Sequence, residues 1–419
     1  MKRFILSIFV ALAALSGGAQ SLDHYKKIIK ELSSTKYQGR GYALNGVRKA
    51  GKYIAREFRR AGVDEVTLQP FCIDVNCYPG RMEMSVDGRK LAPGTEFTVR
   101  EYCPGVDCSG KLYFIDEERY DSAKVLSDLA KPENEGCFVV CDYFFSTRHR
   151  EDFSRMQSRG ECLNAGVILT WTTPLKFYRA YSNLLIDKPV AWVMRDLIEG
   201  ASEVRLSFEN KYLKDYESDN VIAKVEGRRH DGCYVFTAHY DHLGNLGRKT
   251  CFPGANDNAS GTAGIITLAE YYAQNTPEYD MYFIAFSGED TNLNGSGYYV
   301  EHPVVPLSEI RYLFNLDMIG DDNPVIYCEV SDAGMDGYDE LVRINSEKKC
   351  FAGLNRGELA GNSDHWPFAQ KGVPCIFFEN KEGSAFQYYH TVKDDFSTVR
   401  FESFEPLMTL IRTYCERLK

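Results

Sequence analysis

The chain has 419 residues, a formal net charge of −10, and is 44% hydrophobic and 26% charged. That length is more than one compact core usually serves, so two domains, or one large domain with an insertion, are expected. The acidic balance and the lack of a Lys/Arg-rich block exclude a nucleic-acid binder that works by charge; Arg228, Arg229 and His230 form only a short polar turn, read as a solvated hairpin tip.

The N-terminus reads as a targeting segment. Lys2 and Arg3 supply positive charge, Phe4 to Leu15 is an apolar run, and Ser16 to Ala19 are small residues at cleavage positions. Cleavage is expected after Ala19, giving residues 1–19 as signal peptide and Gln20 as the new first residue. No Cys follows the apolar run, which argues against a lipid anchor. Beyond it, no stretch approaches the roughly 18 apolar residues of a membrane span. The expectation is an exported protein, periplasmic or secreted. Its 13 Cys should then pair in part. Cys72 with Cys77 and Cys103 with Cys108 are the close candidates. Neither pair has Cys-x-x-Cys spacing, which disfavours a structural zinc. Cys233, Cys328 and Cys375 sit in apolar runs and read as buried thiols.

Residues 22–62 show helical periodicity, first through Tyr25, Ile28, Ile29 and Leu32, then through Val47, Ala50, Ile54, Phe58 and Ala61. Gln38 to Tyr42 form a turn between them, and Gly62 is a helix stop. Val66–Val75 reads as a strand. From residue 86 to 204 strand-like segments recur at Lys111–Ile115, Gly136–Cys141, Ala165–Thr170 and Pro189–Met194, with helical Tyr120–Lys131 among them. This block has no His/Asp/Glu cluster at ligand spacing and reads as a scaffold or lid; Glu203–Asn210 leads out of it.

After residue 218 the pattern becomes α/β. Strands are expected at Asn220–Val225, Cys233–Ala238, Tyr282–Ser287, Tyr312–Met318, Val325–Cys328 and Pro374–Phe378. Most are continuous apolar runs, as in strands buried on both faces. Helices are expected at Thr262–Gln274, Tyr338–Lys349 and Phe401–Lys419. The fold class read from this is a mixed, mostly parallel central sheet flanked by helices, with a smaller inserted α/β domain.

Chemistry-bearing residues collect at element ends. His239 and Asp241 follow one strand, Glu289 and Asp290 the next, and Asp317 ends a third; Asp257 precedes a helix, and His365 and His390 lie in loops. Each has a plain structural reading, such as Asp257 capping its helix. Carboxylates converging on one sheet edge would repel strongly without a cation, and His with Asp/Glu and no Cys suits zinc in a hydrolytic site.

The ordered segments AHYDHLG (238–244), GANDNASGTAG (254–264), FSGED (286–290), FNLDMIG (314–320), GNSDHWPF (361–368) and YHT (389–391) resemble the aminopeptidase Y / bacterial leucyl aminopeptidase family of co-catalytic zinc peptidases. The helical start, QGRGYALNGVRKAGKYIAREFRRAG, is also similar. The resemblance implies a catalytic domain from residues 20–85 and 205–419 and a protease-associated-like insertion at 86–204. It implies two zinc ions, with His239 and Asp317 on one, Asp290 and His390 on the other, and Asp257 between them. It implies Glu289 as general base toward a metal-activated water, Asp241 as the group orienting His239, and Tyr389 as a candidate to polarise the carbonyl. The implied activity is an aminopeptidase acting on peptides with a free N-terminus. The family's usual pair is Glu-Glu where this chain has Glu289-Asp290. A weakened second site would bring the chain nearer to the single-zinc glutaminyl cyclases. A non-catalytic binding ectodomain is a third reading, and it predicts broken ligand positions. Trp366, Phe368, Phe386 and Tyr388 are candidates to line a side-chain pocket. Oligomeric state has no signal in the sequence.

Overall fold

The computed structural model describes residues 21–172, 176 and 182–417. The targeting segment and its cleavage site lie outside the described residues. The strands are β1 Glu65–Cys77, β2 Met82–Val86, β3 Arg89–Leu91, β4 Phe97–Val99, β5 Val106–Phe114, β6 Phe138–Asp142, β7 Gly166–Trp171, β8 Val190–Met194 and β9 Glu203–Phe208. They continue as β10 Lys211–Val225, β11 Arg229–His239, β12 Asn245–Leu246, β13 Thr250–Cys251, β14 Tyr279–Phe286, β15 Ile310–Leu316, β16 Val325–Val330, β17 Gly353–Arg356 and β18 Cys375–Glu379.

Two eight-stranded sheets result among the described residues. The first runs β1-β10-β14-β11-β15-β18-β16-β17, and its four central strands β14, β11, β15 and β18 are mutually parallel. The second, β3-β2-β9-β5-β6-β7-β8-β4, comes entirely from residues 82–208. The long antiparallel pair β1 and β10 carries the chain out to the second sheet and back. β10 and β11 both pair with β14, so Arg228 lies on a crossover between non-neighbouring strands and not at a hairpin tip.

The helices are α1 (21–32), α2 Gly46–Ala61, α3 Ser122–Leu129, α4 Tyr143–Arg148, α5 Arg150–Gln157, α6 Gly261–Gln274, α7 Asn294–Glu301, α8 Met335–Lys348, α9 His365–Gln370 and α10 Phe404–Arg417. Gly62 ends α2 at φ +84, where the lack of a Cβ relieves the left-handed conformation. Apolar side chains of α1, α2, α6, α8 and α10 pack on one face of the first sheet, and α7 and α9 help cover the other. The first core runs on without a break into β2, β4 and β9 of the second sheet. The central strands are buried on both faces, which explains their unbroken apolar runs.

The cysteine expectation is corrected: all 13 are free thiols. Cys72 and Cys77 lie on the same extended strand, β1. Five residues of strand span about 16 Å, far beyond disulfide reach. Cys103 is buried in a loop, and Cys108 sits on β5.

Candidate metal centre

The loops that follow β11, β14, β15 and β18 open at one edge of the first sheet, because those strands are parallel. His239 is the last residue of β11, Glu289 and Asp290 follow β14, and Asp317 follows β15. A cleft of about 200 Å³ is lined by His239, Asp257, Glu289, Asp290, Asp317 and His390, together with Tyr389 and Phe386. Every ligand position read from the sequence therefore reaches one place.

Two donor clusters share Asp257. His239 Nε2 lies 3.3 Å from Asp257 Oδ1 and 3.3 Å from Asp317 Oδ1. His390 Nε2 lies 3.0 Å from Asp257 Oδ2 and 3.9 Å from Asp290 Oδ1. Donor atoms of His239, Glu289 and Asp317 also fall within 4.8 Å of one another. Asp257 Oδ2, Asp290 Oδ2 and Asp317 Oδ1 are buried and make no hydrogen bond among the described residues. Buried carboxylate oxygens without donors are costly, and a divalent cation between them removes that cost. Imidazole and carboxylate donors with no thiolate suit zinc.

The electrostatics follow from this crowding. Burial opposes charge on His239, yet the carboxylates of Asp317, Glu289 and Asp257 hold its pKa well above the usual imidazole value. Burial acts against the Asp257 carboxylate too, but His242, His239 and His390 pull its pKa well below the usual range. For Glu289, burial and then the charges of Asp290 and Asp317 push the pKa well up, against the pull of His239.

The supporting groups come from distant segments. His239 Nδ1 lies 3.2 Å from the Asp241 carbonyl oxygen and 3.8 Å from its carboxylate. The Asp241 carboxylate instead accepts from Tyr42 Oη at 2.9 Å and from the Glu289 N–H at 3.2 Å, so it fixes the loop bearing Glu289. Ser363 Oγ donates to Asp317 Oδ2 at 2.8 Å and accepts from Asn315 Nδ2. Asp257 does not cap α6, which starts four positions later at Gly261. The Asp257 N–H donates to Asp394, and its carbonyl accepts from Arg40.

Sequence reasoning missed Arg40, His242 and Asp394. His242 lies inside the quoted AHYDHLG segment, and its Nδ1 is 3.3 Å from Asp290 Oδ2. His365 is not in the cluster; it is buried 3.4 Å from Glu329 and stacked on Phe377. Of the pocket aromatics, Phe386 lines the cleft, whereas Phe368 is packed in the core beside Phe286 and Tyr299.

The sequence profile of peptidase family M28 matches residues 220–415, the span that supplies every donor above. Residues 220–415 are a peptidase family M28 domain. The chain is 29% identical over 212 residues to aminopeptidase YwaD of Bacillus subtilis, a match taking in 48% of this chain and 45% of that protein. The chain thus spans less than half the length of that curated relative. In fold it is similar to BSAP, a zinc aminopeptidase from Bacillus subtilis, with a TM-score of 0.70, 21% identity, and coverage of 94% and 93% of the two chains. It is also similar to a Bacteroides thetaiotaomicron glutaminyl cyclase, with a TM-score of 0.52, 14% identity, and coverage of 95% and 98%. At these identities both likenesses speak to the fold alone.

Proposed function

We propose that this chain is an exported, zinc-dependent aminopeptidase that releases residues from the free N-terminus of peptides. The observation that carries the reading is the pair of donor clusters sharing Asp257, with Glu289 beside them. Two zinc ions would be held, one by His239 and Asp317 and the other by Asp290 and His390, with Asp257 between them. When bound, a metal pair of this kind lowers the pKa of a shared water and stabilises charge on the attacked carbonyl.

The protein's own groups supply the rest. Glu289 takes the proton of the attacking water and returns it to the leaving amine. Glu289 lines the cleft beside His239 and Asp317, so its carboxylate is placed to reach a water held there. Tyr389 stacks on His390 at 3.7 Å and lines the cleft, which places its phenol as a donor toward the substrate carbonyl. A cleft of about 200 Å³ takes the end of a peptide more readily than its middle, which supports an exopeptidase. Phe377, Phe386 and Met318 give that cleft an apolar wall. In this reading residues 86–204 form an inserted module that limits access, and the N-terminal segment directs export.

A glutaminyl cyclase needs one ion, and here imidazole and carboxylate donors gather on both sides of Asp257. A binding ectodomain predicts lost ligands, and none is lost. The test is an assay of aminoacyl and glutaminyl substrates with and without added zinc. Glu289→Gln should keep bound zinc and lose about 10²–10⁴ in kcat. Undiminished turnover in that variant would refute Glu289 as the base, and cyclisation of glutaminyl substrates without hydrolysis would refute the peptidase.

A further inference from the structure

We propose that His242 is a third histidine of the metal centre, with its Nδ1 bound directly to the ion held by Asp290 and His390. The inference rests on the two-ion reading above and adds a ligand which that reading lacks.

Four distances define the geometry. His242 Nδ1 lies 3.3 Å from Asp290 Oδ2 and 3.7 Å from Asp257 Oδ2. His390 Nε2 lies 3.0 Å from the same Asp257 Oδ2 and 3.9 Å from Asp290 Oδ1. Donors placed 2.0–2.1 Å from a tetrahedral zinc stand about 3.3 Å from one another. The observed separations lie around that value, so His242 stands about as near to the Asp257 and Asp290 carboxylates as His390 does. The two oxygens of Asp257 divide the histidines: Oδ1 faces His239, while Oδ2 faces His390 and His242. His242 therefore belongs to the Asp290 side.

The ring is fixed in this pose by its surroundings. His242 is fully buried, and its backbone N–H donates to the Arg40 carbonyl. Gly254, at φ +63, approaches so closely that a Cβ there would sit 2.4 Å from His242 Cδ2. Any larger residue at 254 would push the imidazole off the cluster. With His242 included, this ion would have two imidazoles and two carboxylates and take the shared water as a fifth donor, whereas the other side has one imidazole, two carboxylates and the adjacent Glu289. The short Asp290 side chain then faces an imidazole 3.3 Å away that adds a second nitrogen donor on its side.

The experiment uses the full chain loaded with cobalt(II) as a paramagnetic substitute for zinc. Proton NMR in H2O against D2O counts the exchangeable imidazole N–H signals shifted by the metal. Three signals are expected, from His239, His242 and His390; a residue acting only by packing would add none. His242→Gln should reduce the count to two and weaken the second ion at least tenfold in a zinc titration, with the first ion unchanged. Two signals from the wild type, or unchanged affinity for both ions in His242→Gln, would overturn the proposal. Uptake of a single ion by the wild type would overturn it together with the two-ion reading. Three signals from a two-ion protein that hydrolyses no aminoacyl substrate would uphold the ligand and refute the activity.

Discussion

Arg40 is the residue whose replacement tests how the metal loop is held. It is fully buried, and its guanidinium donates to five backbone carbonyls: Tyr240 through Nε, Leu32 and Pro253 through Nη1, and Gly254 and Asp257 through Nη2. Burial lowers its pKa, while the carboxylates of Asp257, Asp394, Asp241 and Asp290 oppose that. Removing the head group, as in Arg40→Met, strands five buried acceptors at about 1–3 kcal/mol each. That sum overlaps the roughly 5–15 kcal/mol of a whole domain, so this variant should not fold. Arg40→Lys is the informative change. An ammonium has three donors, so at least two of the five bonds are lost, a cost of about 2–6 kcal/mol. The assay is urea unfolding of the zinc-loaded chain, with zinc affinity measured in parallel. Affinity should fall with stability, because three of the acceptors, Pro253, Gly254 and Asp257, belong to the loop that carries the bridging carboxylate. A Lys variant within about 0.5 kcal/mol of the wild type, at unchanged zinc affinity, would refute the argument.

Three further outcomes are expected. Chelation should lower the melting temperature and added zinc should restore it, because buried oxygens of Asp257, Asp290 and Asp317 are left without a hydrogen-bond donor; a melt indifferent to chelator would count against a metal there. Ser363→Ala should weaken zinc binding by about 10–100-fold, since the hydroxyl orients Asp317, and a titration would reveal it. His24 has its pKa raised from 6.5 to about 9, first by Glu270 at 2.7 Å and then by Glu57, against burial. A raised histidine pKa stabilises fully below about 6.5 and loses that contribution as pH rises through about 9. The ceiling of about 3 kcal/mol falls to about 1–2 after solvent screening of a half-buried group. His24→Leu should flatten the loss of stability between pH 6.5 and 9, and an unchanged profile would exclude the pair as its source.

The residues legible in the sequence were those whose environment is written next to them. Strands β11, β14 and β15 are continuous apolar runs because both faces are covered, and their ends announce His239, Glu289-Asp290 and Asp317. Strands β2, β3 and β4 are not legible, since segments of 3–5 residues carry too little periodicity. Helices α4, α5, α7 and α9 were missed for the same reason, each being eight residues or fewer. Phe368 looked like a pocket residue by its nearness to the motif, but α9 turns it into the core.

Arg40, His242 and Asp394 were illegible for a different reason. Their partners are backbone groups or carboxylates far away in the chain, and no local pattern encodes such a contact. Asp257 shows the consequence. Its N–H is held by Asp394, 137 positions downstream, and its carbonyl by Arg40, 217 positions upstream. The residue that joins the two donor clusters is thus fixed only when segments near both ends of the chain have docked on the sheet. A metal site built this way should assemble late and cooperatively, so zinc affinity and global stability should move together in any variant that loosens either anchor.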